Sequence, residues 1–133
     1  MIKKNHNFSV AIDSKDGLTV PNIKAVQTKS ILQIDADLKI LIDKTSKNAL
    51  TASDFADSTF SVSSVGNIGG RYFVPTILRP QVAIIAIGKA HTYAKYVEDK
   101  DVFVPAEAIN FSISADHRIL DGATVAKFAT RMK

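Results

Sequence analysis

A chain of 133 residues with 46% hydrophobic and 23% charged side chains has the size and balance of one soluble globular domain, residues 1–133, with a core of its own. Its net charge of +4, from 17 basic and 13 acidic side chains, includes no cluster beyond Lys3-Lys4 and no aromatic stripe interleaved with arginine, which argues against nucleic acid as a partner. No apolar run nears the ~18 residues of a membrane span, MIKKNHNF lacks the apolar stretch of a signal peptide, and the absence of cysteine removes disulfides, thiolate catalysis and Cys-ligated zinc together, so no metal is expected. That absence also fits a reducing compartment.

Phe8 to Ile12 (FSVAI) alternates and reads as a strand. Asp13 to Gly17 turns, and Leu18 to Val20 runs extended into Pro21. From Ser30 the period changes: Ile31, Ile34, Leu38, Leu41 and Ile42 fall at helical spacing. Ser30 is the expected N-cap, and Lys44 to Lys47 the end, where cations complement the helix dipole. Thr51 to Asp54 reads as a cap with one helical turn. Phe60 to Val65 alternates as a strand and runs into Gly66, Gly69 and Gly70. Val82 to Ile87 (VAIIAI) is a continuous apolar run, the mark of a buried central strand.

His91 to Val97 and Val102 to Val104 predict a hairpin around the charged turn EDKD, and Ile109 to Ser114 alternates again. From Asp121 the chain turns helical, with Val125, Phe128, Ala129 and Met132 on one face. No repeat or linker interrupts it. The fold class is α+β, a mixed and mostly antiparallel sheet with flanking helices.

Of three histidines, His6 and His91 read as surface or packing residues. His117 follows an apolar strand and precedes a helix, a turn of the kind on which sheet proteins place reactive groups. From the residues alone two readings stand open. In one, Asp121 is simply the helix N-cap, Gly122 a first-turn spacer and His117 a bystander; in the other the turn is a reactive site.

SADHRILDG, at Ser114 to Gly122, contains an H-x-x-x-D-G signature. With NHNFSVAIDSKDGLTVPNIK at Asn5 to Lys24, FSVSSVGNIGG at Phe60 to Gly70 and PQVAIIAIGKA at Pro80 to Ala90, it resembles the dihydrolipoamide acyltransferases over nearly the whole chain. These are the E2 components of 2-oxo acid dehydrogenase complexes, and their domains are related to chloramphenicol acetyltransferase. The resemblance implies a chloramphenicol-acetyltransferase-like fold, here in part. It implies transfer of an acyl group between CoA and dihydrolipoamide, the lipoamide being carried on a separate lipoyl domain.

That reaction exchanges a thioester for a thiol. A thiol of ordinary pKa is little ionised at neutral pH, so a placed base is needed, and neutral imidazole suits the task. By resemblance His117 is the base, and Ser63 the hydroxyl that meets the tetrahedral oxyanion, with Ser64 the donor if the match slips by one. Asp121 holds the geometry of the site and Gly122 permits close backbone approach. Alternation places Ser61 and Ser63 on one face of their strand, Val62 and Ser64 on the other. Asp13, Ser63, Ser64 and Gly88 match CoA-contacting positions. Near Ile42, where the family often carries a basic or amide residue, the run IDKTSKNAL departs from its pattern. GNIGG lacks phosphate-loop spacing and a phosphate-loop lysine, so it reads as a chain reversal.

The resemblance further implies a homotrimer and a larger E2 core, with base and serine coming from neighbouring subunits, and E1 and E3 components as partners. No nucleic acid and no membrane is implied. The matched segments begin in the middle of the family's catalytic domain, after its lipoyl and subunit-binding domains, and stop before its usual final strand. An assembly remnant without activity is therefore the alternative to an active core. SADHRILDGAT and GNIGG are nearest the branched-chain type. The mitochondrial matrix is the implied location in a eukaryote, the cytoplasm in a bacterium.

Overall fold

The computed structural model describes residues 3–132; Met1, Ile2 and Lys133, which open and close the sequence, lie outside the described residues. Five strands form the main sheet in the order β4 (Asn22–Ile23), β1 (Phe8–Val10), β5 (Phe60–Ser64), β6 (Ala83–Ile87), β9 (Phe111–Ala115). The three inner strands run parallel, and β4 and β9 run antiparallel at the edges. The sheet is mixed as expected. Its antiparallel character lies at the edges and in two separate hairpins, while its centre is parallel.

The expected strand Phe8–Ile12 divides at Ala11 into β1 and β2 (Ile12–Ser14), and β2 pairs with β3 (Gly17–Thr19) as a hairpin. Ala11 still donates its N–H to Val62 O at 3.0 Å, so the chain leaves the sheet only after one further bond. The second hairpin joins β7 (His91–Val97) to β8 (Val102–Ala108), four residues longer than the expected Val102–Val104. Pairing with β7, which alternation within one strand does not reveal, extends it.

Helix α1 (Ile31–Ser46) has the expected Ser30 cap, in a capping box with Gln33, and ends within the lysine run. Its inward stripe differs from the expected one. Ile34, Leu38, Leu41 and Thr45 turn inward, while Ile31 is 85% exposed and Ile42 47%. Ile42 lies about 100° round the helix from Leu41, and Ile31 stands in the first turn, beyond the elements the helix covers. Thr45 is tolerated inside because its hydroxyl donates to Leu41 O at 2.8 Å. The helix packs against β2 and β4, and the short α2 (Ala52–Phe55) against β4.

Among the described residues the buried apolar side chains are few: Ile23, Leu41 and the run Ala83–Ala86 of β6, with Pro21 and Pro75. VAIIAI supplies the buried inner strand β6, flanked on both sides, but the middle of the sheet is β5; burial marks an inner strand and does not give its place in the order. One face of the sheet carries a buried polar chain. Ser61 donates to Gln81 Oε1 at 2.7 Å, Gln81 Nε2 donates to Ser58 Oγ at 2.7 Å, and Ser58 shares a proton contact with Ser9, the register partner of Ser61. The buried Ser9, Ser61 and Gln81 are thereby satisfied, with the half-buried Ser58 linking them. On the other face, α3 (Gly122–Arg131) turns Thr124, Val125 and Phe128 toward Phe60, Ala83 and Ile113 across a cleft of about 210 Å³. No α3 residue is buried.

Candidate acyl-transfer site

The candidate residues separate into two groups. One stands at the C-terminal ends of the parallel strands. Ser63 pairs with Ala86 and Ser64 with Ile87, and Gly88 follows directly. Ala11, bonded to Val62, runs beside Ser63, so Asp13 lies just past the same end. Such carboxyl ends are where ligands of open parallel sheets commonly bind. Asp13 is exposed and lines a cleft of about 410 Å³ with Ser14, Lys15, Ile42 and Ser46. The hairpin and α1 thus meet at the position where the sequence departs from the family's basic residue.

The serines differ in environment. Ser61 is fully buried in the Gln81 network, Ser63 is half-buried on the same face, and Ser64 is exposed on the other. Gly88 has a packing reason for being glycine: a Cβ there would stand 2.2 Å from Arg71 O. Its N–H donates to Asn110 O, and Lys89 N–H donates to Gly70 O, both at 2.9 Å. The GNIGG segment is a chain reversal. Val65 O accepts from Ile68 and Gly69, and Gly69 and Gly70 take positive φ of 136° and 93°.

The second group lies at the opposite end. Strand β9 is antiparallel to β6, with Ala115 opposite Ala83, and Asp116 N–H donates to Val82 O at 2.8 Å. His117 therefore comes beside Gln81, the next residue along. It is exposed on a tight turn between β9 and α3, where Asp116 O accepts from the N–H groups of Ile119 and Leu120, both at 3.0 Å. The imidazole makes no hydrogen bond among the described residues and stands between two clefts. One, of about 760 Å³, is walled by Arg79, Gln81, Asp116 and Ile119. The other, of about 370 Å³, is walled by Phe111, Leu120, Gly122 and Val125. Neither includes Ser63.

Asp121 caps α3, accepting Thr124 N–H at 2.7 Å. Hydrogen bonding with the Thr124 side chain and amide holds its carboxyl below the usual range. No cation pairs with it among the described residues, so within one chain it acts as an N-cap. Two neighbours of His117 escape a strand-by-strand reading. Gln81 comes alongside only through the β6–β9 register. Asp116 is drawn to Arg118 by the tightness of the turn: its carboxylate accepts from Arg118 N–H, Nε and Nη2 at 3.1, 2.9 and 2.6 Å. The Arg118 guanidinium and amide hold the Asp116 carboxyl down to about 2.

The fold is that of acyltransferase catalytic cores. The structure matches Azotobacter vinelandii dihydrolipoamide acetyltransferase with a TM-score of 0.92 and 36% identity, covering 99% of this chain and 54% of that one. It matches the cubic core of a pyruvate dehydrogenase multienzyme complex with a TM-score of 0.91 and 38% identity, covering 98% and 53%. The family model of the 2-oxoacid dehydrogenases acyltransferase (catalytic domain) matches residues 1–133, and the chain belongs to that family. The mitochondrial lipoamide acyltransferase component of the Caenorhabditis elegans branched-chain alpha-keto acid dehydrogenase complex is 42% identical over 98% of this chain and 29% of its own length. The Arabidopsis thaliana counterpart is 41% identical over 100% and 27%. The chain thus spans about three tenths of these curated relatives. In the Azotobacter enzyme, a serine, a histidine and an asparagine four residues beyond that histidine have been investigated for roles in catalysis.

Proposed function

We propose that this chain is part of an acyltransferase core that moves an acyl group between dihydrolipoamide and CoA. His117 Nε2 or Nδ1 takes the proton of the incoming thiol. The thiolate adds to the thioester carbonyl carbon, and the carbonyl electron pair moves onto oxygen. The Ser63 hydroxyl donates to that oxyanion, an interaction typically worth ~3–4 kcal/mol. Collapse re-forms the carbonyl and expels the other thiolate, which takes the proton from the imidazolium. Neither an acyl-enzyme nor a cysteine enters the scheme.

One observation carries this reading: His117 and the Ser63, Ser64 and Asp13 group stand at opposite ends of one sheet in a chain of an acyltransferase family. A site made of both therefore needs two copies, with the base of one meeting the serine and the CoA-contacting residues of the next. A homotrimer within a larger core fits, and so does the exposure of large apolar side chains such as Leu32, Val74, Phe103 and Ile119. Asp121 takes the position four residues after the histidine that is asparagine in the Azotobacter enzyme. As the cap of α3 it holds the turn from its far side.

Relatedness to the branched-chain lipoamide acyltransferases supports a branched acyl group, the E1 and E3 components of that complex as partners, and the mitochondrial matrix as location. Release of free CoA thiol from isobutyryl-CoA with dihydrolipoamide tests the activity. Turnover should exceed that with acetyl-CoA, and it should drop at least about 100-fold in His117→Ala and Ser63→Ala. Equal turnover in wild type and His117→Ala refutes the assignment.

A further inference from the structure

We propose that Asp116 is a positioning residue for His117, its carboxylate clamping the main chain that carries the imidazole. This rests on His117 being the base, as proposed above. The imidazole makes no hydrogen bond of its own among the described residues and is exposed within one chain, so what one chain fixes is the backbone from which it projects, that of Asp116, His117 and Arg118.

Asp116 secures that backbone on three sides. Its N–H ties the start of the turn to Val82 O, the residue just before β6, at 2.8 Å, and its C=O accepts from Ile119 and Leu120 across the turn. Its carboxylate accepts the Arg118 N–H just past His117 at 3.1 Å. The His117 peptide is therefore held from before, from across and from after by one residue. The first two contacts are main-chain and survive Asp116→Ala and Asp116→Asn. The third is not. The Arg118 guanidinium, bound at 2.9 and 2.6 Å, fixes the carboxylate in the rotamer that reaches the amide. Arg118 is 84% exposed against 20% for Asp116, so the arginine closes over the carboxylate from the solvent side. A buried core residue would fix the turn by packing; here His117, Arg118 and Ile119 are exposed, and the ionic clamp is the side-chain contact that adds to the main-chain ones.

A misplacement of about 1 Å at a reacting group can cost ~100-fold in rate. Asp116→Ala, Asp116→Asn, Arg118→Ala and His117→Ala should be compared by steady-state acyl transfer, with thermal midpoint and sedimentation measured on each. Asp116→Ala should lower kcat about 30- to 100-fold with KM for acyl-CoA within about twofold. Asp116→Asn keeps an oxygen acceptor for the Arg118 amide and should regain about tenfold of that loss. Arg118→Ala, which frees the rotamer but leaves the acceptor, should lose only a few-fold. Loss of KM and kcat together, or no rescue by asparagine, overturns the proposal. So does wild-type kcat in both Asp116→Asn and Arg118→Ala should Asp116→Ala fail to fold. Wild-type turnover in His117→Ala instead refutes the base assignment beneath it, a result separable from the others.

Discussion

Ser63 pairs with Ala86 of β6, whereas His117, one residue past the Asp116–Val82 bond, falls beside Gln81. The two are offset by five residues along β6, roughly 16 Å at ~3.3 Å per residue, and by two strand spacings across the sheet. No side-chain rotation closes that gap within one chain. If both groups serve one reaction, the reaction takes place between copies.

Mixing tests this directly. His117→Ala and Ser63→Ala proteins, each inactive alone, should regain activity after co-assembly, because a Ser63→Ala copy can offer its base to a His117→Ala copy that still has its serine. Random assembly in a ring makes about a quarter of the interfaces complete, so about a quarter of wild-type turnover is expected. A mixture no more active than its components would place both groups in one subunit.

Ser61 and Ser63 share a face but should respond to substitution in different ways. Ser61→Ala removes the partner of the buried Gln81 Oε1 and should cost ~1–3 kcal/mol in denaturant unfolding. Ser63 has no such partner among the described residues, and Ser63→Ala should unfold within ~0.5 kcal/mol of wild type while losing turnover. Equal destabilisation by both would remove the distinction.

Two glycines offer a parallel contrast. Gly88→Ala forces a Cβ to within 2.2 Å of Arg71 O and should destabilise by ~1–3 kcal/mol, since backbone must shift to admit it. Gly122, in the first turn of α3, has open space where a Cβ would stand, with no atom of the described residues within 4 Å apart from its chain neighbours and its own helix backbone. Gly122→Ala should be neutral or stabilising by about 0.5 kcal/mol. Thermal unfolding of both variants decides.

Asp54 makes stability depend on acid. The Thr51 amide, Lys44 and the Thr51 hydroxyl hold its carboxyl down to about 2 from an ordinary 3.8, with Lys44 Nζ at 2.9 Å. A depressed carboxyl stabilises the fold above its ordinary value, and the contribution is lost as pH falls toward the folded value. Stability should therefore decline on acidification below pH 3.8 toward about 2. Asp54→Asn should flatten that decline by about 1 kcal/mol once solvent screening of the half-exposed lysine is counted. An unchanged acid limb would show that the carboxylate is not held.

Much of this molecule could be read from local pattern. The Ser30 N-cap, the span of α1, the buried run of β6 and the reversal at Gly66–Gly70 follow from caps, periodicity and glycine placement, each acting within a few residues. The strand-to-helix turn at His117 could be read in the same way, while the family came from the resemblance of four segments spread along the chain. What local pattern could not supply was anything set by strands far apart in sequence. The break at Ala11, the extension of β8 and the inward stripe of α1 at Ile34, Leu38, Leu41 and Thr45 each depend on a partner elsewhere in the chain. Above all, only the register of β5, β6 and β9 sets Ser63 and His117 at opposite ends of the sheet. Side-chain type and spacing are local properties of a chain. Strand direction and register are fixed by hydrogen bonds between distant segments, and these decide which end of the sheet each residue occupies.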